Sequence, residues 1–367
     1  MRHFFILTVV ICITGCHSHI SPKIETIHIT KNIVEAISID DIFSEYEFVS
    51  LEATDSSLLG FLSKIVLKNN IFFVSDGRRI IQFSIHGDYL RTLDMRGRGP
   101  QEYLGITDFV ISEEAIIIWD QNDKTVLRYS LDNKFIDKQK LEDFIATIHM
   151  IGKDKLLFSS AYPRGADYKF MIRDVETMEL LANFCPIDES QITYRHFMGQ
   201  QNYYEYKNTL LFHEPMNNYI YKIENFECMP IYYMDIYGQN PPDEFWSKEY
   251  QDIREVREKA QQNRYCFGVS VYAESDKQIF FCFDVENKSR RCIYAKETGE
   301  SVQFDKFSLH PSIPPVGIMG IYAYSDDYFL LELESDVFYD DNGDPYVAEL
   351  SHLKHSGNPV ICIAKLK

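Results

Sequence analysis

Two stretches of this chain repeat one another. Ile65 to Leu93 reads IVLKNNIFFVSDGRRIIQFSIHGDYLRTL, and Phe109 to Leu141 reads FVISEEAIIIWDQNDKTVLRYSLDNKFIDKQKL. Each holds four short apolar runs separated by turn residues, the pattern of consecutive short strands. Val74-Ser75-Asp76 recurs as Ile118-Trp119-Asp120, 44 residues on, and Ile80-Ile81-Gln82-Phe83-Ser84 recurs as Val126-Leu127-Arg128-Tyr129-Ser130, 46 residues on. A four-stranded unit with a period of roughly 40 to 50 residues is the sequence sign of a β-propeller blade. The length of 367 residues fits an array, because stacked units escape the limit of roughly 250 to 300 residues at which a single core stops growing.

Weaker echoes follow. Lys155 to Ser160 with Phe170 to Arg173 gives a third unit, and Thr209 to His213 with Tyr219 to Ile223 a fourth. Lys277 to Phe283 with Arg291 to Ala295 gives a fifth, and Tyr328 to Leu333 with Val360 to Leu366 a sixth. The strand-like segment Ile42 to Leu51 lies outside these units and is expected to complete the last blade beside the chain tail, Pro359 to Lys367. The expectation is an all-β, six-bladed β-propeller over residues 36–367. Helical spacing occurs once, where Trp246, Tyr250, Ile253, Val256 and Ala260 follow Asn240-Pro241-Pro242. It predicts one inserted helix over 243–262, with its stripe on the propeller or, in a sharper reading, presented as a docking surface. Aromatic residues at 14% agree with a strand-rich chain.

The chain opens MRHFFILTVVICITGCHSH. The ten apolar residues Phe4 to Ile13 are too few to cross a bilayer as a helix and read as the core of a signal peptide over residues 1–15. Ile13-Thr14-Gly15-Cys16 resembles the lipobox of bacterial lipoproteins, which implies cleavage before Cys16 and acylation of its thiol. Residues 16–35 then read as a tether and N-terminal segment. Of eight cysteines, six lie beyond Cys16. None form a CxxC pair, so a zinc cluster is not expected. Cys282 and Cys292 flank a hairpin centred on Asn287 and are either disulfide-bonded or two small core residues.

A net charge of −18 argues against nucleic acid and against docking on anionic lipid, since both need clustered cations. The segment Arg96-Gly-Arg-Gly-Pro-Gln-Glu-Tyr103 invites a phosphate-cradle reading, but it lacks the third glycine of a dinucleotide fingerprint and the Gly-Lys-Ser/Thr of a P-loop. It suits a shaped blade connection, with Gly97 and Gly99 available for positive φ and Pro100 fixing the exit. Together with Leu51-Glu52-Ala53-Thr54 and Leu62 to Ile65, the run Gly97-Arg98-Gly99-Pro100-Gln101-Glu102-Tyr103 resembles a motif of the bacterial 6-bladed β-propeller lipoprotein family. Gln101 departs from the glycine common there. The resemblance implies a fold and an envelope location, the outer membrane, and no particular activity.

Asp340-Asp341-Asn342-Gly343-Asp344 begins like a calcium loop, but Pro345 and Ser351 stand where glycine and glutamate are required, so a hairpin turn fits better. Neither a metal nor another cofactor is expected. No G-x-S-x-G or H-E-x-x-H run appears. The candidate binding residues are Arg78, Arg79, Arg98, Glu102, Tyr103, Trp119, Asp120 and His213. The arginines, with Arg96 and Arg164, could hold a carboxylate or acidic sugar. The strand-ending Asp76, Asp120 and Glu214 satisfy turn amides or face a ligand. Tyr203-Tyr204 and Tyr232-Tyr233 stack on a sugar or wedge between blades. The expected function is a lipid-anchored, non-catalytic module for an envelope protein or glycan. The alternative is a propeller hydrolase or lyase acting on an envelope carbohydrate or lactone, with or without a metal. We expect Cys16→Ser to abolish acylation and shift the protein from the detergent to the aqueous phase in detergent partitioning; retention in the detergent phase would refute the lipobox reading.

Overall fold

The computed structural model describes residues 24–143, 145–160, 166–187, 203–214, 217–248, 250–285, 288–326, 328–353 and 357–367. The signal segment, Cys16, Arg164 and Asn287 lie outside the described residues.

Strands come first in the described chain: β1 (Glu25–Ile29), β2 (Ile33–Ser38), the single turn α1 (Ile39–Ile42) and β3 (Phe43–Ser50). A four-stranded meander follows, β4 (Lys64–Lys68), β5 (Ile71–Ser75), β6 (Ile80–Ser84) and β7 (Tyr89–Leu93). A second is built from β8 (Asp108–Ile111), β9 (Ala115–Asp120), β10 (Thr125–Ser130) and β11 (Phe135–Lys140). A third is built from β12 (Thr147–Ile151), β13 (Lys155–Ser159), β14 (Tyr168–Asp174) and β15 (Leu180–Pro186). The next strands are β16 (Tyr203–Tyr206), β17 (Thr209–His213), β18 (Tyr219–Glu224) and β19 (Glu227–Ile236). Beyond α2 (Asp243–Trp246) and α3 (Ile253–Gln262) come β20 (Phe267–Glu274), β21 (Gln278–Val285), β22 (Lys288–Ala295) and β23 (Ser301–Ser308). The chain ends with β24 (Gly320–Ser325), β25 (Tyr328–Leu333) and β26 (Val360–Leu366). No described helix is long and apolar enough to cross a membrane.

Turn chemistry sets the hairpins. Asn69 and Asn70 both take positive φ (51° and 60°), as do Lys207 and Asn208 (48° and 59°). Two successive left-handed residues make the tight turn whose twist matches the strands on either side.

The second strand of each unit is apolar along its length because both of its faces are covered. In β9, Ile116 and Ile118 point into a core shared with β5 and β6, where they meet Phe73, Ile80 and Tyr103. Ile117 and Trp119, on the opposite face, pack with Leu156 and Phe158 of β13. Leu157 of β13 then turns to the next seam, with Phe170, Tyr203 and Phe212. The two-residue period of a strand thus feeds two cores at once, each large apolar side chain contributing about 1.5–3 kcal/mol.

The expected six separate blades are not what the strands form. Four sheets have a blade's complement: the three meanders and a five-stranded sheet ordered β2-β23-β22-β21-β20. The remaining nine strands make one continuous sheet, β1-β19-β18-β17-β16-β24-β25-β26-β3. The cause is a parallel contact between β16 and β24, where Glu205 pairs with Ser325 and the Asp326 amide donates to the Glu205 carbonyl at 2.9 Å. That contact fuses two units that the repeat pattern kept apart. The architecture is all-β and propeller-like, with four blade-sized sheets rather than six. Nor is there one helix over 243–262. Asp252 caps α3 by accepting from the Arg254 and Glu255 amides, and α2 is only four residues long. The helical stripe is buried mainly on itself: Phe245, Tyr250, Val256 and Ala260 form a satellite core.

The last strand meets an early one. β3 pairs antiparallel with β26 from Ser50–Val360 to Phe43–Leu366. β1 adds in parallel to β19, and β2 to β23. The Asn358 side chain stitches the junction, donating to the Glu52 and Ser57 carbonyls and accepting from the Leu59 amide. Gly87 (φ +88°) is required beside it, since a Cβ there would come within 2.0 Å of the Ser50 carbonyl oxygen. Cys282 and Cys292 are free. In the hairpin, Cys282 stands opposite Arg291 and Cys292 opposite Phe281. One residue of offset puts the two thiols on opposite faces of the sheet, which rules out a bond between them. A chain ending at Asn358, lacking β26, should lose its cooperative urea transition as followed by circular dichroism; a wild-type transition would show that the junction is dispensable.

Candidate functional site

Four strands begin near one another at one end of the molecule. Lys64 opens β4, Asp108 opens β8, Thr147 opens β12 and Tyr203 opens β16. The Lys64 Nζ lies 2.6 Å from Asp108 Oδ1, and both side chains are almost wholly buried. Asp108 Oδ1 also accepts from the Phe109 amide, and Oδ2 accepts from the Ile148 amide at 2.9 Å. One carboxylate therefore ties three units together. The ammonium sits 5.3 Å from the Phe109 ring and 5.5 Å from the Tyr324 ring, within cation–π range. His149 stacks on Tyr203 with centroids 4.9 Å apart. Burial pushes the Tyr203 and Tyr324 phenols well above their ordinary range. This centre is charge-matched and closed, so it serves as a hub.

Most of the residues singled out from sequence prove to be parts of loops and cores. Asp76 Oδ1 accepts from the amides of Arg78 and Arg79. The Arg79 guanidinium donates to Asp76 and to the Ser56 and Leu58 carbonyls, clamping two loops. Asp120 accepts from the amides of Asn122, Asp123 and Leu104. Trp119 is fully buried and its indole donates to the Ile145 carbonyl. Tyr103 is fully buried and its hydroxyl donates to the Leu93 carbonyl. His213 is buried at the end of β17. Arg78 and Arg98 are exposed and remain available to a ligand.

The glycine-rich loop is closed by its own glutamate. Glu102 Oε2 accepts from the Gly99 amide at 2.7 Å, which occupies the amide a phosphate would need. Gly97 and Gly99 are not among the residues with positive φ. A Cβ on Gly97 would lie 1.9 Å from the Glu102 carboxylate and push that side chain off the Gly99 amide. Asp340 behaves alike, its carboxylate accepting from the Asn342 and Asp344 amides of the turn, which hold it below the usual carboxylate range.

Two constellations had no signal in the sequence. Glu274, 2% exposed, accepts from the hydroxyls of Tyr232 and Tyr272 at 3.0 and 2.7 Å and from the Lys296 ammonium. Tyr204 donates to its backbone carbonyl. The tyrosines considered for sugar stacking thus include Tyr204 and Tyr232, which wedge between strands instead. The second constellation is an open cleft of about 770 Å³ beside the free edge of β3. Tyr46 and Glu47 of β3, His310 of one loop, and Tyr346, Glu349 and His352 of another line it. These six are exposed. The Tyr46 hydroxyl is oriented by Asp40 at 3.0 Å, and its ring sits edge-on to Phe48. His352 Nδ1 contacts the Glu349 carbonyl and His310 Nδ1 accepts from the Ser312 amide, which fixes both rings with Nε2 as the other nitrogen. Three segments far apart in sequence make this cleft, so no local motif could announce it.

The sequence matches the family described as a domain of unknown function (DUF4934) over residues 24–365. No curated protein matches it. Among solved structures, a Bacteroides fragilis protein assigned as exported is similar at a TM-score of 0.73 and 19% identity, over 93% of this chain and 99% of that one. Virginiamycin B lyase from Staphylococcus aureus is similar at 0.42 and 12%, over 88% and 100%. BamB from Moraxella catarrhalis is similar at 0.41 and 6%, over 83% of each chain. The first likeness shows a shared fold.

Asp108→Ala should destabilise the protein by about 3–5 kcal/mol in urea unfolding, because it strands the Lys64 charge. The double change Lys64→Met with Asp108→Asn, which keeps an oxygen acceptor beside the two amides, should recover much of that loss; equal loss in both would mean that the lost carboxylate–amide bonds, not the stranded charge, set the cost.

Proposed function

The chain belongs to the DUF4934 family, and from that premise we propose that it is a cell-envelope binding module, anchored through Cys16, whose cleft beside β3 takes a glycan. The cleft carries this reading. Its volume of about 770 Å³ falls in the range of small-ligand sites. Tyr46 and Tyr346, each 36% exposed, offer ring faces to the apolar face of a sugar, in the way amphipathic aromatics serve at binding surfaces. Glu47 and Glu349 accept from sugar hydroxyls, and the imidazoles of His310 and His352 donate or accept as their tautomers require.

Binding without catalysis fits the state of the carboxylates. Asp76, Asp108, Asp120 and Glu274 are each committed to fixed amide, hydroxyl or cation partners. The lipobox resemblance and the exported character of the Bacteroides fragilis protein support the envelope address. Titration calorimetry against a panel of envelope oligosaccharides tests the reading. We expect one of them to bind, and Tyr46→Ala and Tyr346→Ala each to weaken it by about tenfold or more through lost aromatic contact. Equal affinity of wild type and both variants, or no binding by any oligosaccharide, would overturn the glycan assignment.

A further inference from the structure

Cys185 of β15 and Cys228 of β19 come from neighbouring sheets and meet at one seam. Both pack against the core of Leu157, Phe170, Phe184 and Phe212, and β15 contacts β19 there. The Cys228 thiol is the largest influence on the Cys185 thiol and lowers its pKa below the ordinary range, while Cys185 raises that of Cys228. Both residues are half-buried. We propose that Cys185 and Cys228 form a reversible disulfide that staples these two sheets together.

Three further features favour the bond. Among the described strands β15 is an edge strand, paired only with β14, so one ladder alone opposes the shift that bonding requires. The hydrogen bond from Cys228 draws the Cys185 thiol below its ordinary range, with a further contribution from the Lys169 ammonium, so Cys185 is the attacking thiolate. The other described cysteines contrast with this pair. Cys266, Cys282, Cys292 and Cys362 are all buried, and burial pushes the Cys282 thiol up to about 12. An envelope protein meets oxidants that cytosolic proteins do not.

The oxidant is a low-molecular-weight disulfide. The Cys185 thiolate attacks one of its sulfurs, its S–S bond breaks, and one thiolate leaves and takes up a proton. Cys228 then gives its proton to solvent and attacks the Cys185 sulfur of the mixed disulfide, and the second thiolate leaves. Two protein thiols are oxidised and one disulfide is reduced to two thiols.

The test is to incubate the full chain with glutathione disulfide, map its peptides by mass spectrometry, and record its unfolding midpoint. We expect a peptide pair joined through Cys185 and Cys228 and a midpoint raised by about 5 °C, both reversed by a reducing thiol. Cys228→Ser should trap Cys185 as a glutathione adduct and show no rise. Wild-type protein in which both thiols stay free, or carry glutathione separately, would overturn the proposal whether or not the variant folds.

Discussion

Everything in this molecule depends on sheets that need a neighbour on each face. A strand such as β9 is apolar on both sides, so a single meander cannot stand alone in water. Neighbouring sheets supply the missing cover, and the end of the series must meet its beginning. The β3–β26 ladder makes that meeting with backbone hydrogen bonds between an early strand and the last one. Asn358 and Gly87 hold it from either side, one by side-chain bonds and one by having no side chain. Chain-end closure is costly in entropy, which the buried aromatic seams on both sides offset.

The polar groups inside are placed by the same geometry. Strand ends converge, and a carboxylate there can reach several units at once, as Asp108 does with Lys64 and two amides. The Glu274 carboxylate does the same between two tyrosines and a lysine. Such groups are committed to partners within the protein. Chemistry directed outward has to come from edges and loops, which is where the cleft beside β3 and the exposed Arg78 and Arg98 lie. The thiol pair at the β15–β19 seam also sits at an edge, where a strand has freedom to move.

The repeats at Ile65–Leu93 and Phe109–Leu141 were legible because both faces of their central strands are buried, which writes a continuous apolar run into the sequence. The number of separate sheets was not legible. A single parallel contact between Glu205 and Ser325 merges two units, and residues 120 positions apart carry no mark of it. The helix over 243–262 was read from a stripe that exists, but the side chain of Asp252 takes the cap and starts α3 afresh. Among the candidate binding residues, Trp119 and Tyr103 were chosen for chemical character, which does not reveal burial. Glu102 stands beside two glycines, and its carboxylate closes their loop by accepting from the Gly99 amide.

The sequence alone determined the strand-rich class, the repeat and the turn positions, because these follow from the local periodicity of apolar and turn residues. Only the tertiary structure decided how many sheets stand apart, which cysteines face one another, and that segments near residues 46, 310 and 349 wall one cleft. Those outcomes are set by contacts between residues distant in the chain, whose energies depend on register and distance in space and leave no pattern among sequence neighbours.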